Sequence, residues 1–413
     1  MLALASSTSP TGNVYYVAPN GSDSNPGTIS QPFRTIRRGI ASLSGGDTLN
    51  IRAGTYNEGN IDASTIPNGP STSSRTTLAA YDGAGTAILL PTACIGGGVL
   101  GYPNSGNQTN HTFDGLVFDG TNCWTPVGGG ANQIIYLGPF ASNINFLNVT
   151  IKNAGMANLN SGETTHGVFI GGAQHIQFLK CTLSDNGRGN NAAGGGNRAA
   201  GYHYYIAGGD DIIIDGCTHI RSGGYGVHAY SGGDSSTPSN LIVRNSTFSE
   251  SGITAQQNQL TSSIRVCCGP GNMAYNNLVY NGYSIGIESV SANAQIYNNT
   301  VYNNRSWGIT VGPNTVIKNN IAYGNNLDGN ATDIGGFNFS GSVVSNNLCG
   351  QINSTVTPPG ACAVVGDPMF VDPANGNFNL KFGSPAINIG VVIPGISAGY
   401  VGVPDAGALQ SSW

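Results

Sequence analysis

Two series of short segments with alternating apolar and polar side chains run along most of the chain. The first series comprises GVFIGG (167–172), YYIAGG (204–209), GVHAYS (226–231), SIRVCC (263–268), GIESVS (286–291) and GITVGP (308–313). The second series comprises FLKCTL (178–183), IDGCTH (214–219), VRNSTF (243–248), YNNLVY (275–280), YNNTVY (297–302) and KNNIAY (318–323). Alternation with a period of two predicts short β-strands, and helical periodicity is absent between them.

A unit that recurs about every 20 to 36 residues predicts one elongated domain, a parallel β-solenoid. The second series also carries two neighbouring columns of asparagine: Asn276, Asn298, Asn319 and Asn346, and beside them Asn277, Asn299, Asn320 and Asn347. Stacked asparagine side chains can hydrogen-bond from coil to coil as a ladder. Cys181 and Cys217 occupy the equivalent position in earlier coils, either as stacked thiols or as a disulfide.

The composition supports an all-β chain and excludes several classes of protein. Glycine accounts for 63 of 413 residues, and charged residues for 8%, against about 25% in ordinary globular proteins. The usual helix-forming surface residues are therefore scarce, whereas 39% hydrophobic residues argue against disorder. A net charge of −5 and a pI of 5.6 argue against nucleic acid as a partner. No apolar run approaches the length that spans a membrane.

Eight cysteines favour an oxidising compartment. The first residues, Met1 to Ser6, resemble the tail of a secretory signal, so residues 1–13 are interpreted as a signal remnant or a disordered tail. The sequence therefore predicts a secreted protein or a protein of the extracellular surface.

Two terminal segments carry a family resemblance: YYVAPNGSDSNPGTISQPFRTIRRGIASL with GDTLNIRAGTY (15–56), and GDPMFVDPANGNFNLKFGSPAINIG with PDAGA (366–408). They resemble the pectate-lyase-like, right-handed parallel β-helix superfamily of secreted proteins. The resemblance implies an all-β right-handed parallel β-helix. It leaves the activity open, because the superfamily includes lyases, hydrolases and epimerases as well as non-catalytic surface proteins. Many pectate lyases of this fold use a lysine or arginine base with calcium held by clustered aspartates. This chain has no acidic cluster near a lysine, so no cofactor or metal is predicted, and calcium is left open at the isolated Asp23 or Asp372.

Both ends of a solenoid need covering, because open strand edges promote aggregation. Phe33, Ile36, Ile40 and Leu43 have helical spacing and predict an amphipathic capping helix. The expected boundaries are an N-terminal cap and first coil at 14–60, the β-helix at 61–350, and a C-terminal coil and cap at 351–413. The region from Gly366 onward is expected to cover the far end.

The alternation of strand side chains separates core positions from surface positions. The expected core pairs are Val168 and Ile170, Tyr204 and Ile206, Val227 and Ala229, Ile264 and Val266, Ile287 and Ser289, and Ile309 and Val311. The residues between them form an outward column: Phe169, Tyr205, His228, Arg265, Glu288 and Thr310. Because coils lie about 4.8 Å apart, this column predicts a contiguous stripe of titratable groups. His203 and Tyr230 are expected to face the same way.

The longest connections, 187–203, 231–239 and 252–262, join the coils that carry this stripe. Long loops beside a flat sheet would form a groove, and such loops are often functional. Arg188, Arg198 and Asp234 lie on these loops and are candidates for contacts with a ligand.

The stripe contains the groups that β-elimination from a uronate polysaccharide requires. Arg265 is suited to neutralise the substrate carboxylate, because its planar guanidinium can form two parallel hydrogen bonds with a carboxylate. His228 suits the base and Tyr205 the acid, with His203 as an alternative for either role. Glu288 would tune Arg265 or His228, and Lys180 is a weaker alternative base. His166, His175 and His219 are interpreted as ordinary strand or turn residues, and Asp210 with Asp211 as a turn.

The leading hypothesis is a metal-independent polysaccharide lyase in which Tyr136, Phe169, Tyr205 and Tyr230 stack on sugar rings. A glycoside hydrolase of the same fold would need two acids about 5 to 9 Å apart. The available acids are Asp210, Asp211, Asp234 and Glu288. A uronate epimerase would share the first chemical step. A third alternative is a non-catalytic surface or filament-forming protein, because outward charged residues also occur as plain cross-strand pairs. The chain is expected to be a monomer or to self-assemble through its solenoid ends.

Overall fold

Short strands stacked in parallel make up most of the structure. The computed structural model describes residues 12–92, 98–123, 132–155, 165–187, 201–230, 237–253, 261–289, 293–327, 329, 331–397 and 402–411. Within these residues the first half of the strands is β1 (Val14–Val17), β2 (Thr48–Ile51), β3 (Gly54–Tyr56), β4 (Ile61–Asp62), β5 (Thr76–Ala80), β6 (Ala87–Leu89), β7 (Leu100–Tyr102), β8 (Gln108–Asp114), β9 (Val117–Asp119), β10 (Asn132–Leu137), β11 (Ala141–Leu147), β12 (Thr150–Lys152), β13 (Thr165–Ile170), β14 (Gln174–Leu179), β15 (Thr182–Ser184), β16 (Tyr204–Ile206), β17 (Asp210–Asp215) and β18 (Thr218–Ile220).

The second half is β19 (Val227–Ala229), β20 (Ser239–Arg244), β21 (Thr247–Ser249), β22 (Ser262–Arg265), β23 (Met273–Tyr275), β24 (Leu278–Tyr280), β25 (Ile285–Glu288), β26 (Gln295–Tyr297), β27 (Thr300–Tyr302), β28 (Ile309–Thr310), β29 (Val316–Lys318), β30 (Ile321–Tyr323), β31 (Ile334–Gly335), β32 (Val343–Ser345), β33 (Asn347–Cys349), β34 (Cys362–Val365), β35 (Phe370–Asp372) and β36 (Asn377–Leu380). The helix α1 spans Ile36–Ile40, and two 3-10 turns span Ala63–Thr65 and Pro373–Asn375.

The strands form three long sheets that wrap around one core. The first sheet has the order β1-β2-β5-β8-β11-β14-β17-β20-β23-β26-β29-β32. The second has the order β3-β6-β9-β12-β15-β18-β21-β24-β27-β30-β33-β34, and the third β31-β28-β25-β22-β19-β16-β13-β10-β7-β4. Each regular coil adds one strand to each sheet, next to its equivalent from the previous coil. The predicted all-β parallel β-helix is confirmed.

Stacking of like residues fills the core. Phe113, Phe146 and Phe178 lie in successive strands of the first sheet, with ring centroids 5.2 and 4.6 Å apart. All the predicted core pairs of the third sheet are buried. The alternation of the first sequence series therefore places the correct side chains inside.

The two asparagine columns have different roles. Asn276, Asn298, Asn319 and Asn346 adopt left-handed backbone conformations, with φ between 51° and 59°, where the chain turns from the first sheet to the second; asparagine is one of the few residues that tolerate this region. The neighbouring column is the predicted ladder. Each Nδ2 of Asn277, Asn299 and Asn320 donates to the Oδ1 of the next member at 3.0 Å.

The ladder continues into the earlier coils with other side chains. The backbone N–H of Cys181 donates to Cys217 Sγ at 3.3 Å, and that of Cys217 donates to Ser246 Oγ at 3.0 Å. Both cysteines are free and buried. The structure therefore decides the alternative left open by the sequence in favour of stacked thiols.

Replacing Asn299 by alanine is expected to destabilise the fold by about 3 kcal/mol. The change leaves the backbone N–H of Asn277 and the C=O of Ala274 without the partners they now have at 3.0 and 2.9 Å. Each buried group left unpaired costs about 1–3 kcal/mol. Urea unfolding measures the loss, and Asn379→Ala, the same change at an exposed site, is the matched control. An equally small effect of both changes on the free energy of unfolding would contradict a stabilising role of the ladder.

The predicted N-terminal helix is reduced to a single turn. Thr35 caps α1 by accepting from the backbone N–H of Arg38, and Glu58 accepts from the backbone N–H of Arg37 at 2.9 Å. Ile36 and Ile40 are buried. Phe33, expected in the same helix, instead forms an extended bridge with Val17. Backbone pairing of this residue with β1 therefore prevents the helix from beginning earlier.

The C-terminal segment lies along the side of the stack, whereas we expected it to cover the far end. Phe370, Phe378 and Leu380 pack with Ile321 and Leu348 on the second sheet. Further along the segment, Ile393 packs against tyrosines of the first sheet. Outward apolar side chains of the regular coils provide this surface, so the segment shields a flank.

Two disulfides join pairs of described cysteines, and Cys123 is disulfide-bonded as well. Cys349–Cys362 joins β33 to β34, and Cys267–Cys268 links adjacent residues just after β22. In the described part of the chain, no helix has both the length and the apolar character needed to cross a bilayer.

Candidate active site

The predicted outward column exists on the third sheet. Strand pairing aligns Tyr136 with Phe169, Phe169 with Tyr205, and Tyr205 with His228. The column continues from His228 to Arg265 and from Arg265 to Glu288. Parallel pairing therefore brings residues that are far apart in sequence to adjacent positions on one face.

A second column borders the first and was missed in the sequence. Its members stand three positions before the outward residues: His166, Tyr202, Tyr225 and Ser262. The Tyr225 ring stacks on His228 at 4.2 Å and 15°, and Tyr202 meets the same imidazole edge-on at 4.9 Å. His166 lies 5.0 Å from the ring of Tyr205. An aromatic side chain recurring at a fixed offset of three was the signal available in the sequence.

His203 does not belong to the outward column, contrary to our expectation. It is fully buried, with Nδ1 3.0 Å from Asn186 Nδ2 and its ring 5.7 Å from that of His219. Gly167 and Gly226 occupy the aligned positions, and a Cβ there would lie within 3 Å of Asn186 and Phe248 respectively. The chain turns the corner into the third sheet at this point, so strict alternation fails and both His203 and Tyr204 face inward.

His228 is held as a neutral imidazole. Burial lowers its pKa to about 3, and the charge of Arg265 acts in the same direction. Its Nε2 lies 3.5 Å from Nη1 of Arg265. The flanking rings of Tyr225 and Tyr205, at 4.2 and 5.3 Å, sandwich the imidazole. His228 is therefore unprotonated throughout the neutral range.

The tyrosines around His228 remain protonated. Burial raises the pKa of Tyr205 to about 12, with further increases from Tyr230 and Tyr202. Burial also raises the pKa of Tyr202 to about 12 and raises that of Tyr225. These phenols are consequently available as hydrogen-bond and proton donors at neutral pH.

Arg265 and Glu288 form the charged end of the site. The Arg265 guanidinium donates to Tyr225 Oη at 3.3 Å, and its Nε lies 3.9 Å from Glu288 Oε2. Glu288 is 6% exposed and accepts from Ser262 Oγ at 3.0 Å. Burial raises the pKa of Glu288, against the opposing effects of Arg265 and Ser262. Arg265 is only half-buried, so its guanidinium is available to an approaching anion.

Aromatic side chains extend the site toward earlier coils. Tyr136 and Phe169 stack at 5.6 Å, and Phe169 meets Tyr205 edge-on at 5.2 Å. Tyr230 lies on the other side of Tyr205 at 5.6 Å and is 39% exposed. Such a run of rings offers faces on which sugar rings can stack.

Other predicted residues are placed elsewhere. Lys180 occupies an exposed left-handed turn between the first and second sheets. Asp210 accepts from Ser239 and Asn240, and Asp211 pairs with His175 at 2.8 Å, at the start of β17 in the first sheet. Arg188, Arg198 and Asp234 lie outside the described residues.

The described donors near the site do not fit calcium. This ion takes six to eight oxygen ligands, commonly from several carboxylates. Among the described residues next to His228 and Arg265, Glu288 supplies the carboxylate. It already accepts a hydrogen bond from Ser262 and pairs with Arg265. Across the described residues no group of three or more histidine, cysteine or acidic side chains is arranged to hold a metal ion. No chemical step is therefore assigned to a metal.

The three sheets and their coil-by-coil stacking define a right-handed parallel β-helix. The sequence signature of the family described as right-handed β-helix region matches residues 166–349. A second signature, of a protein family of unknown function, matches residues 19–70.

Solved structures share this fold, and one relative matches a short part of the chain. The pectate lyase Pel9A superposes with a TM-score of 0.65 at 16% identity, covering 96% of both chains. A rhamnogalacturonan lyase superposes with a TM-score of 0.57 at 15% identity, covering 90% of this chain and 95% of its own. The uncharacterized protein YwoF of Bacillus subtilis is 48% identical over 48 residues, 12% of this chain and a tenth of the length of that relative. At these identities the structural matches establish the fold.

Proposed function

We propose that this protein is a polysaccharide lyase that cleaves a uronate-containing polysaccharide by β-elimination on the outer face of the third sheet. The observation that carries the proposal is the contact of Arg265 with the neutral His228 imidazole, which stacks on the Tyr205 phenol at 5.3 Å. An anion anchor, a proton acceptor and a proton donor thus lie on adjacent coils. The likeness of the fold to two lyases is consistent with this proposal.

The chemistry assigns one role to each group. Arg265 pairs with the uronate carboxylate and stabilises the charge that develops when the neighbouring C5–H bond breaks. His228 Nε2 takes that proton, the electron pair forms the C4–C5 double bond, and the C4–O bond breaks. Tyr205 donates its phenolic proton to the leaving oxygen, and proton exchange through solvent restores both side chains. Tyr136, Phe169 and Tyr230 stack on the neighbouring sugar rings.

Substrate binding would make His228 a stronger base. In the free protein, burial and Arg265 together lower the pKa of the imidazole. A bound carboxylate brings a negative charge next to Arg265, which opposes the effect of that cation on His228. The imidazole is therefore unprotonated before binding and gains proton affinity once the uronate is in place.

Hydrolysis fits the described residues less well. A glycoside hydrolase needs a second carboxyl group about 5 to 9 Å from the first. Glu288 faces Arg265 and Ser262, while Asp210 and Asp211 belong to another sheet. Elimination is therefore the better use of this cluster. The two disulfides support a proposed site of action outside the reducing cytoplasm.

A panel of uronate polymers tests the proposal: polygalacturonate, a rhamnogalacturonan, alginate, glucuronan and glycosaminoglycans, each with and without chelator. Ultraviolet absorbance of unsaturated uronate products is followed beside reducing-end release. Growth of both signals on one polymer, with or without chelator, is the expected result. Reducing ends without absorbance would indicate a hydrolase, and a changed uronate configuration without cleavage would indicate an epimerase. No change on any polymer would favour a non-catalytic surface protein.

The pH dependence should distinguish His228 from an ordinary histidine base. Because the pKa of His228 is lowered to about 3, we expect kcat/KM to stay flat between about pH 7.5 and 6, where a solvated histidine base near 6.5 would lose activity. Initial rates in buffers of constant ionic strength measure the profile, with the unfolding midpoint followed at each pH. A decline with an apparent pKa near 6.5 would contradict the assignment.

A further inference from the structure

The disulfide between the adjacent residues Cys267 and Cys268 lies two positions after Arg265. Strand β22 ends at Arg265, and Val266 follows with its backbone N–H donating to Glu288 O at 3.0 Å. The disulfide thus begins where regular pairing of this strand ends. It lies on the same sheet as the proposed anion anchor and in the same coil.

Buried contacts hold the first cysteine in place. Cys267 is fully buried, and its Sγ lies 3.3 Å from the carbonyl oxygen of Ala229, the core residue that follows His228. The fully buried Asn272 donates to Cys267 O at 2.7 Å and to Pro238 O at 3.0 Å. The Cys267 side of the disulfide is therefore anchored to the coil that carries His228.

A disulfide between neighbours closes a small covalent ring that includes the intervening peptide. Cys268 adopts a φ of 83°, a conformation that side chains other than glycine rarely adopt. Without the ring, the segment after Arg265 would gain backbone freedom, and each residue fixed in one conformation loses roughly 1–2 kcal/mol of conformational entropy. The ring therefore confines the end of the strand from which the Arg265 side chain projects.

We propose that the Cys267–Cys268 disulfide is a positioning element for Arg265, which it holds at the distance from His228 that carboxylate binding requires. This inference rests on the proposed function for its catalytic consequence, although the positioning itself does not depend on it. Loss of the disulfide should loosen the segment around Val266 and weaken binding of the anionic substrate. The Cys349–Cys362 disulfide, at the far end of the stack, should have no such effect.

The test compares Cys268→Ala with Cys362→Ala in the full chain. Each variant removes a partly buried sulfur and leaves a fully buried cysteine in the core, so the pair is matched. Hydrogen exchange of the peptide 262–268 reports the strand end, and KM and kcat on the cleaved polymer report the site. Cys123 is also disulfide-bonded, so phosphine reduction is applied to a Cys123→Ala/Cys362→Ala protein, where it opens the Cys267–Cys268 disulfide without changing either of its cysteines. The same double variant before reduction is the reference for this arm.

We expect Cys268→Ala and the reduced protein to exchange the Val266 amide about tenfold faster and to raise KM about tenfold, with kcat less affected. Unreduced Cys362→Ala should match the wild type in both readouts. Unchanged exchange and KM in both the Cys268→Ala and the reduced protein would overturn the inference. If the wild type cleaves no uronate polymer, the proposed function fails, and the exchange result alone decides whether the ring holds this strand end.

Discussion

Replacing Arg265 by alanine is expected to lower kcat/KM on a uronate polymer by about 10²- to 10³-fold. The Arg265 guanidinium supplies the positive charge of the proposed site, where it lies half-buried beside His228 and Tyr225. Removing one preorganised group that stabilises developing negative charge typically costs this much. Initial rates of unsaturated product formation, with the unfolding midpoint as a check on the fold, measure the loss.

Two further variants make this prediction specific. Arg265→Lys keeps the charge but loses the planar fork, so an intermediate loss is expected. Arg244→Ala removes an arginine that pairs with Asp215 at 2.8 Å on the first sheet, and activity should be unchanged. On a methyl-esterified polymer, which lacks the carboxylate charge, the penalty of Arg265→Ala should shrink. Equal losses for Arg265→Ala and Arg244→Ala would show a general effect on the fold instead of a site.

Acidification from pH 7.5 to 4.5 is expected to remove roughly 10 kcal/mol of folding free energy, enough to unfold most domains of this kind. Burial lowers the pKa of His111 to about 4 and of His166, His203 and His228 to about 3, and it lowers that of His219 well below 6.5. The unfolded chain binds protons on these side chains near pH 6.5, whereas the folded chain does not. The folding free energy is therefore at its full value above pH 6.5 and falls as the pH drops toward 3. At pH 4.5 the loss is about 2 to 3 kcal/mol for each of the four histidines whose pKa is lowered to about 3 or 4.

Two buried carboxyl groups offset part of the stability that the histidines lose at low pH. Burial raises the pKa of Asp333 to about 6 and also raises that of Glu288. Both groups bind protons more readily in the folded chain, so they offset a small part of the loss. Urea unfolding at the two pH values measures the net change.

His219 allows this prediction to be tested at one position. Its ring is fully buried and stacks on Phe248 at 4.0 Å. Because burial lowers the pKa of His219 well below 6.5, His219→Leu should reduce the stability difference between the two pH values. Asn379→Ala, an exposed substitution that involves no titratable group, provides the control and should leave the difference nearly unchanged. An identical difference in the wild type and His219→Leu would contradict the contribution of buried neutral histidines.

The sequence predicts the coils and the outward column because both depend on period two. Phe169, Tyr205, His228, Arg265 and Glu288 each stand between two core residues, and in-register stacking of the coils aligns them. Alternation and coil spacing thus determine which residues become neighbours on the third sheet. The roles proposed for these residues remain predictions, because a fold shared with lyases does not assign chemistry to individual side chains.

Features that depend on corners and on distant packing were not predictable in this way. His203 and Tyr225 lie where the chain turns into the third sheet, so alternation assigned one to the wrong side and overlooked the other. The apolar residues of the C-terminal segment, such as Phe370 and Phe378, show that it packs against something but not on which surface. The flank it covers is formed by tyrosines and isoleucines of distant coils.

The most direct test compares the wild type and His228→Gln on the polymer that the wild type cleaves fastest, with the rate of unsaturated uronate formation as the measurement. We expect the wild type to form this product and His228→Gln to form it at least about 100-fold more slowly, with an unchanged unfolding midpoint. A wild type that forms no unsaturated product on any uronate polymer, or a His228→Gln variant that retains the full rate, would contradict an eliminating site on the third sheet.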